Sequence, residues 1–190
     1  LEMGLDDPGR ILYYAHASNF YGRHPAAVPV IGYQAPLAGV KYEDVLDYHD
    51  KMYIPQNMVF VIAGDIDPAK TIKQAAKKLE NFLERRQYSP VLPPIEPISS
   101  VRRFVQPSDK FQEVAEIIGF QTIPLNDKDL YALDVLSYIL SNGKSSRLVE
   151  KLQFRDRIVT AIDTWSNTPV WGAGEFAVSF RTVPGKEQEA

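Results

Sequence analysis

The stretch from Lys41 to Phe82 limits what this chain can fold into more than any other. It reads KYEDVLDYHDKMYIPQNMVFVIAGDIDPAKTIKQAAKKLENF. That is an amphipathic helix pattern, a Tyr-x-Pro-x-Asn-Met break, an apolar burst, Gly-Asp and a second amphipathic pattern. In the first pattern Tyr42, Val45, Leu46, His49, Met52 and Tyr53 share one helical face. Pro55 ends it, because a proline ring pushes the residue before it out of helical backbone. Residues 58–63 (MVFVIA) are apolar, rich in β-branched side chains and bounded by Asn57 and Gly64, which predicts a strand buried on both faces. Asp67 and Pro68 cap and open the next helix, whose apolar face is Ile72, Ala75, Ala76, Leu79, Phe82 and Leu83. Striped helices beside a strand of this kind require a layered α+β architecture.

The flanking regions extend this pattern. Residues 8–20 predict a helix, with Pro8 in its first turn and Asp6 or Asp7 as cap. Residues 21–40 hold three Pro and three Gly and read as an ordered loop. Residues 85–100 carry four Pro and no periodicity, which predicts a stiff, extended linker. Beyond it, 101–106 and 113–122 predict strands joined by a Pro-Ser-Asp-Lys turn. Asn126 or Asp127 caps a helix with Leu130, Leu133, Leu136, Ile139 and Leu140 on one face, and Asn142-Gly143 stops it. A short helix from Ser145 to about Leu152 and strands at 158–167 and 174–183 complete the reading. Phe176, Val178 and Phe180 alternate with Ala177, Ser179 and Arg181, the period of a half-buried antiparallel strand. The expected fold is α+β, mostly antiparallel, with helices packed on one face of the sheet.

Composition excludes several function classes. Over 190 residues, 45% are hydrophobic, a globular and not a disordered composition. A net charge of -3 argues against a nucleic-acid surface, and Arg85-Arg86 and Arg102-Arg103 are too few to make one. No apolar run reaches the roughly 20 residues of a bilayer span. The chain has no cysteine, so disulfides and thiolate metal sites are excluded. Leu1-Glu2-Met3 at the start and Pro184 to Glu189 at the end both read as cut, so the expectation is a piece of a longer protein.

Several segments, in order, resemble one family. They are Gly32 after His24-Pro25 and Pro29-Val30-Ile31; Glu43-Asp44-Val45 with Tyr53-x-Pro55-x-Asn57-Met58; and Val61-x-x-Gly64-Asp65-x-Asp67-Pro68. After the linker come Gly119-Phe120-x-x-x-Pro124-Leu125, Tyr131 to Leu136, and Ser145-Ser146-Arg147-Leu148. Together they resemble the pitrilysin/insulinase-type zinc metallopeptidases over nearly the whole chain. That resemblance implies tandem homologous α+β domains around a substrate chamber. The first domain would carry an H-x-x-E-H zinc motif, whose glutamate activates water. It implies that 1–84 is the back half of the first domain, 85–100 the linker and 101–190 the front half of a second, non-catalytic domain.

The zinc motif is absent from this chain. His16, His24 and His49 show no i, i+4 pair and no adjacent motif glutamate, so no catalytic or metal-ligating residue is assigned. Glu2 lies near the family's downstream zinc-ligand glutamate but out of register, and reads better as a solvated carboxylate at a helix start. Zinc is expected in the parent protein only. The resemblance also implies an arginine and a tyrosine, seven residues apart, that hold the substrate backbone. Their positions here are Gln153 and Thr160. Gln lacks the bidentate cationic fork and Thr lacks the reach of a phenol. Some bacterial members split zinc motif and Arg/Tyr pair between two subunits. The departure therefore implies a second homologous subunit supplying that pair.

Two functions follow from the resemblance. One is a non-catalytic piece of a zinc endopeptidase that helps form a peptide-binding chamber. The other is a structural or assembly subunit sharing the fold. Export of the two-subunit relatives implies a periplasmic location. Folding carries its own expectation: the strand at 58–63 joins the sheet of 101–183, making one pseudo-domain like a circular permutant. The alternative is that 1–84 packs as a separate small helical lobe or pairs with a second chain by swapping.

The remaining polar and aromatic residues have plainer readings. His49 on its stripe reads as a packing histidine, and His24 before Pro25 as a loop-positioning one. Trp165 and Trp171, flanking Pro169, fit either a peptide cleft or a hairpin with exposed aromatics. Ser145-Ser146 reads as turn and cap, not as nucleophile.

Overall fold

The computed structural model describes residues 7–81, 90–108 and 113–189. Glu2, Asp6, Phe82, Leu83, Arg85, Arg86 and the second half of the Pro-Ser-Asp-Lys turn lie outside the described residues. The chain divides into two compact units: Leu1–Tyr33 with Leu92–Ala190, and Gln34–Val91.

The first unit is built on a three-stranded antiparallel sheet of β1 (Ala115–Gln121), β2 (Val159–Asn167) and β3 (Glu175–Thr182), in the order β1-β3-β2. β3 is central, and Glu175, Phe176, Ala177, Phe180 and Thr182 are buried along it. Phe180 pairs with Glu116 on one side and Ile162 on the other. One face carries a core of Val149, Ile158, Val159, Ile162 and Phe180, with Leu148, Leu152 and Val178 packed against it. A π-helical turn, Val149–Arg155, delivers Val149 to that core. α5 (Leu130–Ser141) lies against β2, where Ser141 Oγ meets Thr164 Oγ1 at 2.8 Å.

The opposite face is covered in part by α1 (Pro8–Tyr21). Asp7 caps it, accepting from the Arg10 amide at 3.3 Å, and Pro8 opens it. Its inner side builds a second core of Ala17, Phe20, Tyr21 and Ala27, closed by Ala26, Ile95 and Ile98. At about 1.5–3 kcal/mol per large buried side chain, these two clusters are the main stabilising assets of the unit. From Pro90 to Ile98 the proline-rich stretch forms no helix or strand, and it is tied down. Gln121 accepts from the Ile98 amide and donates to the Glu96 carbonyl, both at 3.1 Å.

The second unit contains α2 (Gln34–Ala38), α3 (Tyr42–Met52) and α4 (Pro68–Leu79). Ile54 is its one buried residue among the described residues. The expected strand at 58–63 is not formed: the segment pairs with no strand, and Val59 and Val61 are 90% and 85% exposed. A lone strand has no partner for its amides and carbonyls, so local propensity cannot make one. The sheet therefore does not take in this segment, and the pseudo-domain expected from it is corrected. What the first half of the chain contributes to that sheet is α1.

Three further expectations are corrected. Residues 101–106 are exposed and unpaired, not a strand. The short helix at 145–152 starts later, and its main part is the π-helical turn. The 21–40 loop holds a short 3-10 turn, Pro25–Ala27, as well as α2.

Candidate functional site

Two places in the first unit gather polar side chains. The first is where the resemblance puts a substrate clamp. Gln153 and Thr160 do come together: Gln153 Nε2 donates to the Thr160 carbonyl at 2.8 Å. The pairing of β2 with β3 slips between Val159 and Ala161, so Thr160 sits at a bulge. A bulge interrupts the ladder and leaves a carbonyl in need of a donor, which Gln153 provides. Thr160 Oγ1 reaches Glu113 Oε2 and the Arg181 carbonyl, each at 3.4 Å. Arg157, at φ 54, is the non-glycine residue that turns the chain from the π-helical turn into β2. The pair is thus occupied in holding its own strand edge.

The second place is the sheet face under α1. His16 on α1 contacts Glu175 at the start of β3, and Glu175 is almost wholly buried. A buried carboxylate is costly unless hydrogen-bonded, and His16 is what meets that need here. The contact requires Gly119: a Cβ there would stand 2.6 Å from Glu175 Oε1 and 2.7 Å from His16 Cε1. Burial first, and the Glu175 carboxylate second, push the Tyr21 phenol from 10.0 up to about 12. His24 Nδ1 accepts from the Ala26 amide at 3.1 Å, which caps the 3-10 turn, and its ring stacks on Trp171 at 4.8 Å.

Beside α1 the same sheet face is open. A groove of about 170 Å³ runs between Gly9, Leu12 and Tyr13 of α1 and Ala115, Ile117, Trp165, Ser179 and Arg181 of the strands. Trp165 is the tryptophan that borders this cleft; Trp171 packs away on His24 and Tyr21.

The other candidates take plainer roles. His49 is not a buried packing residue: it is exposed, with its ring stacked on Tyr53 at 4.8 Å. No residue of α3 is buried, so that face has no cover among the described residues. Ser146 is buried and donates to the Gly143 carbonyl at 2.7 Å, a turn contact.

Zinc does not fit these residues. Among the described residues His16 and Glu175 are the one part-buried histidine–carboxylate contact, and they are spent on each other. Among the described residues no group of three His, Cys, Asp or Glu could hold a metal ion. No chemical step is therefore assigned to a metal on this chain.

Sequence reasoning missed Glu175, Tyr13 and Arg181. For Arg181 the signal was present: it is the one charged residue in the Ala177-Ser179-Arg181 alternation. For Glu175 there was none, since its partner lies 159 residues away.

Comparison with known proteins agrees with this fold. The family model described as "Peptidase M16 inactive domain" matches residues 39–190. An uncharacterized zinc protease of Rickettsia felis is 26% identical over 164 residues, which are 86% of this chain and 39% of that protein. The crystal structure of a protease from Helicobacter pylori superposes with a TM-score of 0.84 at 22% identity, over 98% of this chain and 45% of that one. A chain of Complex III2 from Candida albicans gives 0.71 at 20% identity, over 95% of this chain and 44% of that one. The chain thus spans less than half the length of these proteins.

Proposed function

The chain belongs to the peptidase M16 inactive-domain family, and from that membership we propose that it is the substrate-holding, non-cutting part of a zinc-dependent endopeptidase. Water activated by zinc on residues outside this chain would cut the peptide. This chain would line the chamber and hold the peptide against the sheet face beside α1. The observation that carries the reading is the open groove there, with Tyr13 and Trp165 on its border and a packed sheet beneath. The rest of that face is sealed by α1 through the His16–Glu175 contact. A peptide entering the groove meets aromatic surface, which supplies contact area at low conformational cost.

The test combines metal content and binding. After dialysis the purified chain should carry far less than one zinc. It should bind a labelled, extended peptide and leave that peptide intact. Near-stoichiometric zinc, or cleavage, would overturn the non-cutting role. Failure to bind any peptide would overturn the holding role. The proposal includes a second homologous subunit bringing an Arg/Tyr pair and a periplasmic setting, which co-purification and cell fractionation test.

A second reading, a structural or assembly subunit, is favoured by one observation. The Gln153 amide at the clamp position is spent on the Thr160 carbonyl and not turned outward. An assembly subunit would bind a folded partner and ignore the extended peptide.

A further inference from the structure

We propose that the groove beside α1 is a subsite for the C-terminal residue of a peptide. The peptide carboxylate sits on the Arg181 guanidinium, and the last side chain lies between Tyr13 and Trp165. The inference rests on the peptide-holding reading and goes further, naming which part of the peptide is held and by what.

Charge comes first. Arg181 is exposed, borders the groove, and its guanidinium makes no ion pair or hydrogen bond among the described residues. A guanidinium left uncommitted next to an apolar cleft is suited to a planar anion from outside, because its fork pairs a carboxylate bidentately. Leu12 and Ile117 border the same groove and displace water from one side of that pair, which strengthens it over a fully solvated one.

Size comes second. The groove holds about 170 Å³. That is below the roughly 300 Å³ at which sites for whole small molecules begin, and it suits a single large side chain. Ser179 and Arg181 stand two residues apart on β3, about 7 Å along the strand at the usual rise. Cavity and cation therefore lie within the reach of one residue. Only a chain end offers an apolar side chain and a carboxylate from the same residue. An internal Asp or Glu would bring its carboxylate on the side chain that has to fill the cavity.

The test uses the full chain and three labelled decapeptides built on one parent sequence, read by fluorescence anisotropy. One ends in Phe with a free carboxylate. One is its C-terminal amide. One is that amide with a Glu at the penultimate position. The free acid should bind about tenfold or more tightly than the amide, as expected for one charge-assisted pair. Arg181→Gln, an exposed substitution checked by circular dichroism, should erase that difference. Arg181→Lys should restore part of it. Equal binding of acid and amide would overturn the inference while leaving peptide holding intact. An acid preference that survives Arg181→Gln would overturn the assignment to Arg181. Internal Glu binding as tightly as the free acid would overturn the chain-end assignment. No binding of any peptide would overturn this inference together with the reading beneath it.

Discussion

The two units of this chain carry similar helix signals and reach opposite ends. α4 in the second unit has a cap, a first-turn proline and an apolar stripe. Asp67 accepts from the Lys70 amide at 3.1 Å. Yet Ile72 is 69% exposed and no α4 residue is buried. α1 in the first unit has the same opening, with Asp7 as cap and Pro8 in the first turn, and a less ordered stripe. It buries Ala17, Phe20 and Tyr21. Caps and propensity set where a helix begins; whether its face is buried depends on a second surface, which the helix cannot provide. At 12 residues α4 is near the lower limit for helices without packing, so its caps matter more to it than they do to α1.

The contrast can be broken most forcefully at Gly174. A Cβ there would lie 2.3 Å from the Asn167 carbonyl oxygen and 2.5 Å from that of Ile123, both backbone atoms that cannot swing aside. Gly174→Ala should cost the first unit about 3 kcal/mol. Urea unfolding followed by tryptophan fluorescence reports this unit alone, since Trp165 and Trp171 both lie in it. An unchanged midpoint would show that the β2–β3 connection relaxes freely.

Gly119→Ala should cost somewhat less, about 2 kcal/mol, because the obstructing atoms belong to the side chains of His16 and Glu175. Pairing it with His16→Ala sharpens the comparison. If the loss comes from wedging α1 off the sheet, the double variant should be less destabilised than the sum of the singles. Strict additivity would place the damage elsewhere.

Alkaline titration probes the same core. The Tyr21 phenol is raised from 10.0 to about 12 by burial and then by Glu175. Below pH 10 both the folded and unfolded forms keep the proton, so the contribution is fully present. Between about 10 and 12 the unfolded form ionises first, and stability should fall as pH rises. Difference absorbance should reveal one phenol titrating late, and Tyr21→Phe should remove both that step and its share of the alkaline loss.

The smallest effect belongs to the second unit. Val61→Ser and Ile72→Ser should each change stability by no more than about 0.5 kcal/mol, because both side chains already face solvent. A loss of core size at either position would mean that face is covered in solution, and the contrast between the units would close.

The candidate site was legible only in part. The family resemblance brought Gln153 and Thr160 into view, and they do meet. Their meeting has a local cause, a bulge with an unpaired carbonyl, which no spacing announces. Gly119 stood out as a motif residue; its reason became visible only when His16 and Glu175 were found against it. The alternation of β3 placed Arg181 opposite Phe180, but not over a groove lined by α1.

By itself the sequence determined the family, the α+β class, the caps of α1 and α4, the absence of thiolate chemistry and the alternation of β3. These are local or compositional properties, written in neighbouring residues. The tertiary structure alone decided that 58–63 forms no strand, that α1 closes the sheet through a buried histidine and carboxylate, and that an unpaired arginine stands at an open cleft. Each depends on whether a distant surface is there to meet it. A strand needs another strand, a buried charge needs a donor, and a cleft needs two walls.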